Sequence, residues 1–231
     1  MIDDDTLALL RKVDTPTVCN AIEVATGRRG FAAFTRGTMV CTEPGRAVVG
    51  YAVTARIAAL APSTEAPEAI RARRMAYYRA MHDAPKPSVA VIEDLDHPAC
   101  IGAYWGEINA AVHKGFGMAG VLTNGVVRDL DDLPEGFPII AGSVGPSHGY
   151  VHVRDIGGPV RIMGLEVAQG DLVHADRHGA VVIPGNIAPR LAAAIVKLQD
   201  IESLILGPAR AEGFDFQAFE AAWSAFEKAR T

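Results

Sequence analysis

The feature that most restricts the fold is an apolar strand, a helix and a second apolar strand, lying in that order between Ser88 and Thr123. Pro85-Lys86-Pro87 breaks the chain, and Ser88 to Ile92 follows as a short apolar run of the kind that forms a buried strand. It opens into the acidic stretch Glu93-Asp94-Leu95-Asp96. A helix is expected at about Trp105 to Lys114, and Gly120 to Thr123 reads as another buried strand, ended by the turn signal Asn124-Gly125. This order is a βαβ unit, whose strands pair in parallel through a right-handed crossover. The carboxyl ends of the two strands then lie side by side, where α/β folds place their chemistry. Three segments are expected to converge there: the acidic loop, the helix entrance at Gly102 to Glu107, and Arg128-Asp129.

The remaining chain reads as one compact unit with helical ends. Asp14-Thr15-Pro16-Thr17 has a capping aspartate and a proline in the first turn, leading a helix Val18 to Ala25. Gly27 to Cys41 is glycine-rich and irregular, Ala47 to Ala58 reads as a long strand, and Ala66 to Met81 as a helix. Short β-type runs follow at Pro138 to Ala141, Tyr150 to Ile156, Val160 to Met163, Asp171 to His174 and Ala180 to Ile183, a strand-rich and partly antiparallel layer. Two helices close the chain, Ile187 to Leu206 and Phe216 to Lys228, with Gly207-Pro208 as the break. With 231 residues, 49% of them hydrophobic, a single domain over 1–231 can bury a substantial core.

Composition narrows the function classes. A formal charge of −5 argues against a nucleic-acid surface. The Arg71, Arg73, Arg74 run reads as a solvated helix face or subunit contact. No leader-like segment and no apolar run of bilayer length is expected, which points to a cytoplasmic chain without a membrane partner. Cys19, Cys41 and Cys100 have neither disulfide nor metal spacing and read as small buried hydrophobes. Gly115-Phe116-Gly117-Met118-Ala119-Gly120 has G-x-G-x-x-G spacing, but a helix precedes it and a strand follows. A dinucleotide site needs the reverse order, so these glycines end a helix instead.

Arg128-Asp129 is the strongest chemical signal. An arginine forks onto a carboxylate, and a neighbouring aspartate can hold a hard divalent cation, which together suit a small 2-oxo acid. Alone, the pair reads equally as a surface ion pair or helix cap. Asp131 and Asp132 are expected to open a short helix, where a carboxylate favours the N-terminal dipole. Glu93, Asp94 and Asp96 read as a solvated acidic loop, or as neighbours of the cation. His148 and His152 would share a strand face, and His174 and His178 could join them in a zinc site, although no H-x-H or H-E-x-x-H pattern supports it.

Gly106, followed by Glu107, is separated from Arg128-Asp129 by 21 residues, with Asp132 three further on. This spacing resembles the signature of the class II pyruvate aldolases, the 4-hydroxy-4-methyl-2-oxoglutarate / 4-carboxy-4-hydroxy-2-oxoadipate aldolases and their RraA-like relatives, named for the regulator of ribonuclease E activity. Gly170-Asp171-Leu172-Val173-His174-Ala175-Asp176-Arg177-His178-Gly179-Ala180-Val181-Val182-Ile183-Pro184 is similar to a second segment of that family. The resemblance covers about Thr15 to Pro184, giving a core over 15–184 and C-terminal helices over 185–231.

What the resemblance implies is specific. The fold would be an RraA-like swivelling α/β/α domain with a mixed sheet and helical N- and C-termini, assembled as a homotrimer or homohexamer. Asp129 would be the metal ligand, for Mg²⁺ or Mn²⁺. Arg128 would face the pyruvate moiety, and Glu107, where the aldolases usually have aspartate, would be the acid/base group. Gly102, Ala103, Tyr104, Trp105 and Gly106, with Arg128, would receive the substrate, and Asp132 would close the signature. The family also takes an acidic residue from a neighbouring subunit, for which Glu202 is a guess. The implied function is a divalent-metal-dependent carbon–carbon lyase on a small 2-oxo acid, an aldolase or decarboxylase producing pyruvate. The alternative, from the same resemblance, is a non-catalytic regulator that binds a protein partner.

Overall fold

In the computed structural model, which describes residues 2–230, the chain opens with α1 (Asp4–Leu10) and α2 (Thr15–Thr26). Each starts on an aspartate: Asp3 accepts the Thr6 N–H at 2.7 Å and Asp14 the Thr17 N–H at 2.9 Å. Sequence reasoning found the second cap and missed α1. Then come β1 (Val40–Cys41), β2 (Val48–Ala58), α3 (Pro67–Asp83), β3 (Ser88–Asp94), β4 (Ala103–Trp105), α4 (Glu107–Gly115), β5 (Val121–Thr123), β6 (Val126–Val127), β7 (Ile139–Ala141) and β8 (Ser143–Val144). Next are β9 (His152–Ile156), the hairpin of β10 (Val160–Ile162) with β11 (Leu165–Val167), and that of β12 (Leu172–Asp176) with β13 (Gly179–Ile183). Helices α5 (Ala188–Ala209) and α6 (Phe216–Arg230) follow. No helix among the described residues is long and apolar enough to cross a membrane.

The main sheet is mixed, in the order β1-β7-β5-β3-β2-β12-β13, and β9 also pairs β2. The eleven-residue β2 serves both sides. It runs parallel to β3 from Tyr51 to Ile57, while its other edge pairs β12 at Val48–Tyr51 and β9 at Ala55–Ala58. The expected βαβ unit is present, since β3 and β5 are neighbouring parallel strands. Strand alternation distributes the core. Val53, Ala55, Ile57, Ala90 and Ile92 pack with Tyr77 and Met81 of α3, and Val49 packs with α1, α2 and α5. Val48, Ala52, Val89 and Val91 face the β10–β11 hairpin on the other side.

Three adjacent parallel strands of this sheet do not stop at its edge. Each breaks and resumes in a smaller parallel sheet, β3 as β4, β5 as β6 and β7 as β8. Asn124 forms the break after β5. Its Oδ1 accepts the Asp94 N–H at 2.7 Å and its Nδ2 donates to the Asp94 carbonyl at 3.0 Å, so a side-chain amide adds one rung where the β3–β5 ladder ends. After β7, Gly142 passes so close that a Cβ would fall 2.1 Å from the Asn124 carbonyl oxygen.

Several expectations need correction. Trp105 belongs to β4, and the helix starts two residues later, at Glu107. Asp131 and Asp132 open no helix: the Asp132 N–H closes a turn on the Asp129 carbonyl at 3.0 Å. Gly207-Pro208 does not break α5, which continues to Ala209. The missing proline N–H falls in the last turn, where the chain ends on tighter bonds from Arg210 to Gly207 and Ala211 to Pro208. The acidic loop is not simply solvated. Asp94 is buried, and Asp96 Oδ2 accepts the N–H groups of Ala59 and Leu60 at 2.5 and 2.9 Å. The three cysteines are half-buried rather than fully enclosed.

Candidate active site

Parallel pairing of β4 with β6 closes the sequence gap between Gly106 and Arg128. Trp105 is opposite Val127, and the Arg128 N–H extends the ladder to the Trp105 carbonyl at 2.9 Å. Gly106 and Arg128-Asp129 therefore leave neighbouring strand ends together. Gly106 has extended backbone (φ −159°), so its glycine is required by space rather than by conformation. A Cβ there would fall 2.4 Å from Asp129 Oδ2 and 3.1 Å from Arg128 Nε.

Gly106 also precedes α4 and offers no capping side chain. Asp129 supplies the cap from the other strand, its Oδ2 accepting the Glu107 N–H at 3.2 Å. The first free N–H of a helix and its positive dipole end favour a carboxylate at this place. The same oxygen lies 3.3 Å from Arg128 Nε. Among the described residues Oδ1 of Asp129 accepts no hydrogen bond, and the terminal nitrogens of Arg128 make none. Asp129 holds this position at φ 55°, in the left-handed region that strains any residue with a Cβ.

Arg128 lines a cavity of about 490 Å³ with Ala103, Tyr104 and Gly106 of the expected cradle. Gly102 and Trp105 do not line it. Gly102 is pressed against Ala59 and the His148 carbonyl, and the Trp105 indole is fully buried in the core. Glu107 is exposed in the first turn of α4, while its backbone joins the site through Asp129. Asp132 contributes the backbone turn described above.

Residues that sequence reasoning left aside complete the wall: Arg74 and Tyr78 of α3, Ile108 and Asn109 of α4, and the His148–Val151 loop. Asn109 organises them. Its Nδ2 donates to the Tyr104 carbonyl at 2.5 Å, its Oδ1 accepts the Tyr78 hydroxyl at 2.6 Å, and its own carbonyl accepts His113 Nδ1–H at 2.6 Å. Since Nδ1 faces a carbonyl it must carry the proton, leaving Nε2 to accept the Tyr77 hydroxyl at 2.7 Å. Burial pushes the His113 imidazole down to about 4, so it stays neutral. Burial likewise raises the Tyr77 and Tyr104 phenols well above their ordinary range. The legible signal was the Arg74, Tyr78 spacing of one helical turn.

The histidines do not gather. His148 lines the cavity, whereas His152 on β9 bonds the Tyr150 carbonyl. His174 is buried between the Leu10 carbonyl and Thr15 Oγ1, and His178 pairs with Asp176. No group of three or more His, Cys, Asp or Glu side chains able to hold a metal is found among the described residues. Glu202 lines a separate cavity of about 460 Å³ beside α2, α5 and α6.

Known proteins with this architecture include an uncharacterised protein of Pseudomonas syringae pv. tomato, with a TM-score of 0.71 at 21% identity over 99% of this chain and 94% of that one. Streptomyces coelicolor RraAS2, described as an unusual member of the RNase ES inhibitor RraA family, gives 0.67 at 24% identity, over 87% and 95% of the two chains. These likenesses establish the fold. In sequence, 91 residues are 32% identical to an uncharacterised protein of Methanocaldococcus jannaschii, covering 38% of this chain and 44% of that protein. Another 112 residues are 29% identical to a Halalkalibacterium halodurans protein provisionally named a 4-hydroxy-4-methyl-2-oxoglutarate aldolase, covering 48% and 52%. The chain thus spans about half the length of the curated relatives it matches. The sequence model described as Aldolase/RraA matches residues 15–182, from the start of α2 to the end of the main sheet, and the chain belongs to the RraA-like family.

Proposed function

We propose that this chain is a divalent-metal-dependent carbon–carbon lyase, cleaving a 4-hydroxy-2-oxo acid by a retro-aldol reaction, decarboxylating oxaloacetate, or both. The observation that carries this reading is the Arg128-Asp129 pair fixed against Gly106 at the start of α4, beside a cavity with arginine in its wall.

A hard cation fits the residues present. Mg²⁺ or Mn²⁺ takes one or two protein carboxylates and keeps several waters, and Asp129 has one carboxylate oxygen without a hydrogen bond on a side chain about one-third exposed. Zinc, which favours an enclosed histidine or cysteine set, has no such set among the described residues. When bound, the cation supplies Lewis-acid polarisation of the 2-oxo group.

The protein's own groups do the rest. Arg128 carries fixed positive charge where the oxygen of the three-carbon fragment becomes negative. The Glu107 carboxylate, directly or through water, takes the proton of the 4-hydroxyl. That O–H pair becomes the new carbonyl, the C3–C4 bond breaks, and its electron pair stays on C3 as the enolate of pyruvate, which a returned proton converts to pyruvate. Decarboxylation leaves the same enolate and needs no hydroxyl deprotonation. The exposed apolar side chains Ile108, Leu130 and Val144 beside these segments suit a homotrimer or homohexamer in which the site meets another copy.

Release of pyruvate from 4-hydroxy-4-methyl-2-oxoglutarate or oxaloacetate, followed with lactate dehydrogenase, tests the proposal. Turnover should require Mg²⁺ or Mn²⁺ and disappear in Asp129→Ala. Absence of turnover across a panel of hydroxy-oxo acids, or turnover indifferent to Asp129, would refute it and favour a protein-binding regulator.

A further inference from the structure

The reaction above leaves one proton without a source. Retro-aldol cleavage takes a proton from the 4-hydroxyl, and Glu107 can hand it back to C3. Decarboxylation takes none, so the Glu107 carboxylate has nothing to return and the enolate needs another donor. Glu107 is also exposed on α4 and does not line the cavity. Of the groups that do, the guanidinium groups of Arg74 and Arg128 keep their protons. The Tyr78 hydroxyl donates to Asn109, and burial raises the phenols of Tyr78 and Tyr104. Imidazole differs, since histidine binds and releases a proton near neutral pH. His148 is the histidine in this wall.

Its backbone is tied down on both sides. The Ser147 carbonyl accepts the Ala103 N–H of β4 at 2.8 Å, the Tyr150 N–H donates to the Ala59 carbonyl at 3.0 Å, and the Val151 N–H to the His148 carbonyl at 3.2 Å. Gly149 turns between them at φ 51°, where a Cβ would fall 3.1 Å from the Ala59 carbonyl oxygen. Two residues along β4 from Ala103, the Trp105 carbonyl holds the Arg128 N–H, so one strand sets both His148 and Arg128 at the cavity.

The ring is oriented as well. His148 Nδ1 lies 2.7 Å from the Gly149 carbonyl oxygen, so it carries a proton and donates there in either charge state. The exchangeable proton is therefore on Nε2, which makes no hydrogen bond among the described residues.

We propose that His148 is the catalytic acid of the second half of the reaction, delivering the Nε2 proton to C3 of the pyruvate enolate. The C2–C3 π pair forms the new C–H bond, and a lone pair on the enolate oxygen restores the 2-oxo carbonyl. The ring is left neutral, with Nδ1–H still on the Gly149 carbonyl. Nε2 takes its next proton from water, which the exposed side chain meets directly. The inference rests on the lyase reading above.

Run backward, the same step removes a methyl proton from pyruvate, so exchange of that methyl group with D₂O, followed by proton NMR on the full chain in Mg²⁺, isolates it from carbon–carbon cleavage. Oxaloacetate consumption is measured in parallel, because an enolate that is not protonated on the protein can leave and become pyruvate in water. In His148→Gln, which keeps a polar side chain but transfers no proton, exchange should fall at least about 10²-fold while oxaloacetate consumption stays within about threefold. Absence of exchange in a wild type that consumes oxaloacetate, exchange undiminished in His148→Gln, or equal loss of both reactions would overturn the role of His148 and leave the lyase reading intact. A wild type that neither exchanges pyruvate nor consumes any oxo acid would overturn both.

Discussion

Asp129 presents its carboxylate from a left-handed backbone, and two substitutions separate the backbone from the carboxylate. Asp129→Ala and Asp129→Gly both remove the acceptor of the Glu107 N–H and the contact with Arg128, so those losses cancel between the two variants. They differ in what they do at φ 55°. A left-handed alanine costs roughly 1–2 kcal/mol, whereas glycine adopts this region freely but gains about 0.5–1 kcal/mol of unfolded-state entropy. The net advantage of glycine is roughly 1 kcal/mol, or about 2–4 °C in Tm for a chain of this size. Thermal unfolding followed by circular dichroism in metal-free buffer measures the difference without ligand stabilisation. Both variants should lose pyruvate release, with Asp129→Gly melting higher. Equal melting, or a more stable alanine variant, would refute strain at this residue. Retained turnover in either would refute its role.

Two further outcomes follow from the same geometry. His113 is held at about 4 by burial, below its ordinary 6.5. Between those values the unfolded chain binds a proton that the folded chain excludes, so its contribution is complete above about 6.5 and declines as pH falls toward 4, by on the order of 3 kcal/mol. Urea unfolding at pH 7.5 and pH 5 should show this loss in the wild type and a smaller one in His113→Gln; parallel losses would contradict it. Glu107→Gln should slow retro-aldol cleavage by about 10²–10⁴-fold while sparing oxaloacetate decarboxylation, because only cleavage removes a hydroxyl proton. Equal loss in both reactions would show that the carboxylate is not acting as that base.

Much of the site was legible because it depends on local order. The βαβ unit follows from two apolar runs and a helix between them, and it brings the segments after its strands to one end; the β4–β6 pairing that sets Gly106 beside Arg128 was not read, because Trp105 was placed in the helix. Glycine at 106 has a reason that sequence hides: the space a Cβ would need is taken by Asp129. The α3 wall was only faintly legible: the Arg74, Tyr78 spacing puts both on one helix face, but four arginines in one helix look alike in sequence. Only the fold shows Arg73 committed to Glu65 and Arg74 left to the cavity. The acidic loop misled for a related reason. Asp94 and Asp96 resemble a solvated run, yet backbone N–H groups at strand ends draw them inward. Trp105 was assigned to the helix because aromatic residues suit either element when a short apolar run has no clear period.

The broken strands also govern how such a site can change over generations. The passage from main sheet to second sheet takes one residue after β7, two after β5, and eight, 95–102, after β3. The two short passages leave no slack: Gly142 already touches the Asn124 backbone, so an added residue there would tear both ladders. The long passage ends beside Gly102, where the chain turns toward Ala103 and Tyr104 of the cavity wall. Length variation is therefore tolerated on one flank and forbidden on the other. New substrates would be admitted by remodelling 95–102 and the His148–Val151 loop, around an Arg128-Asp129 centre that the short passages hold still.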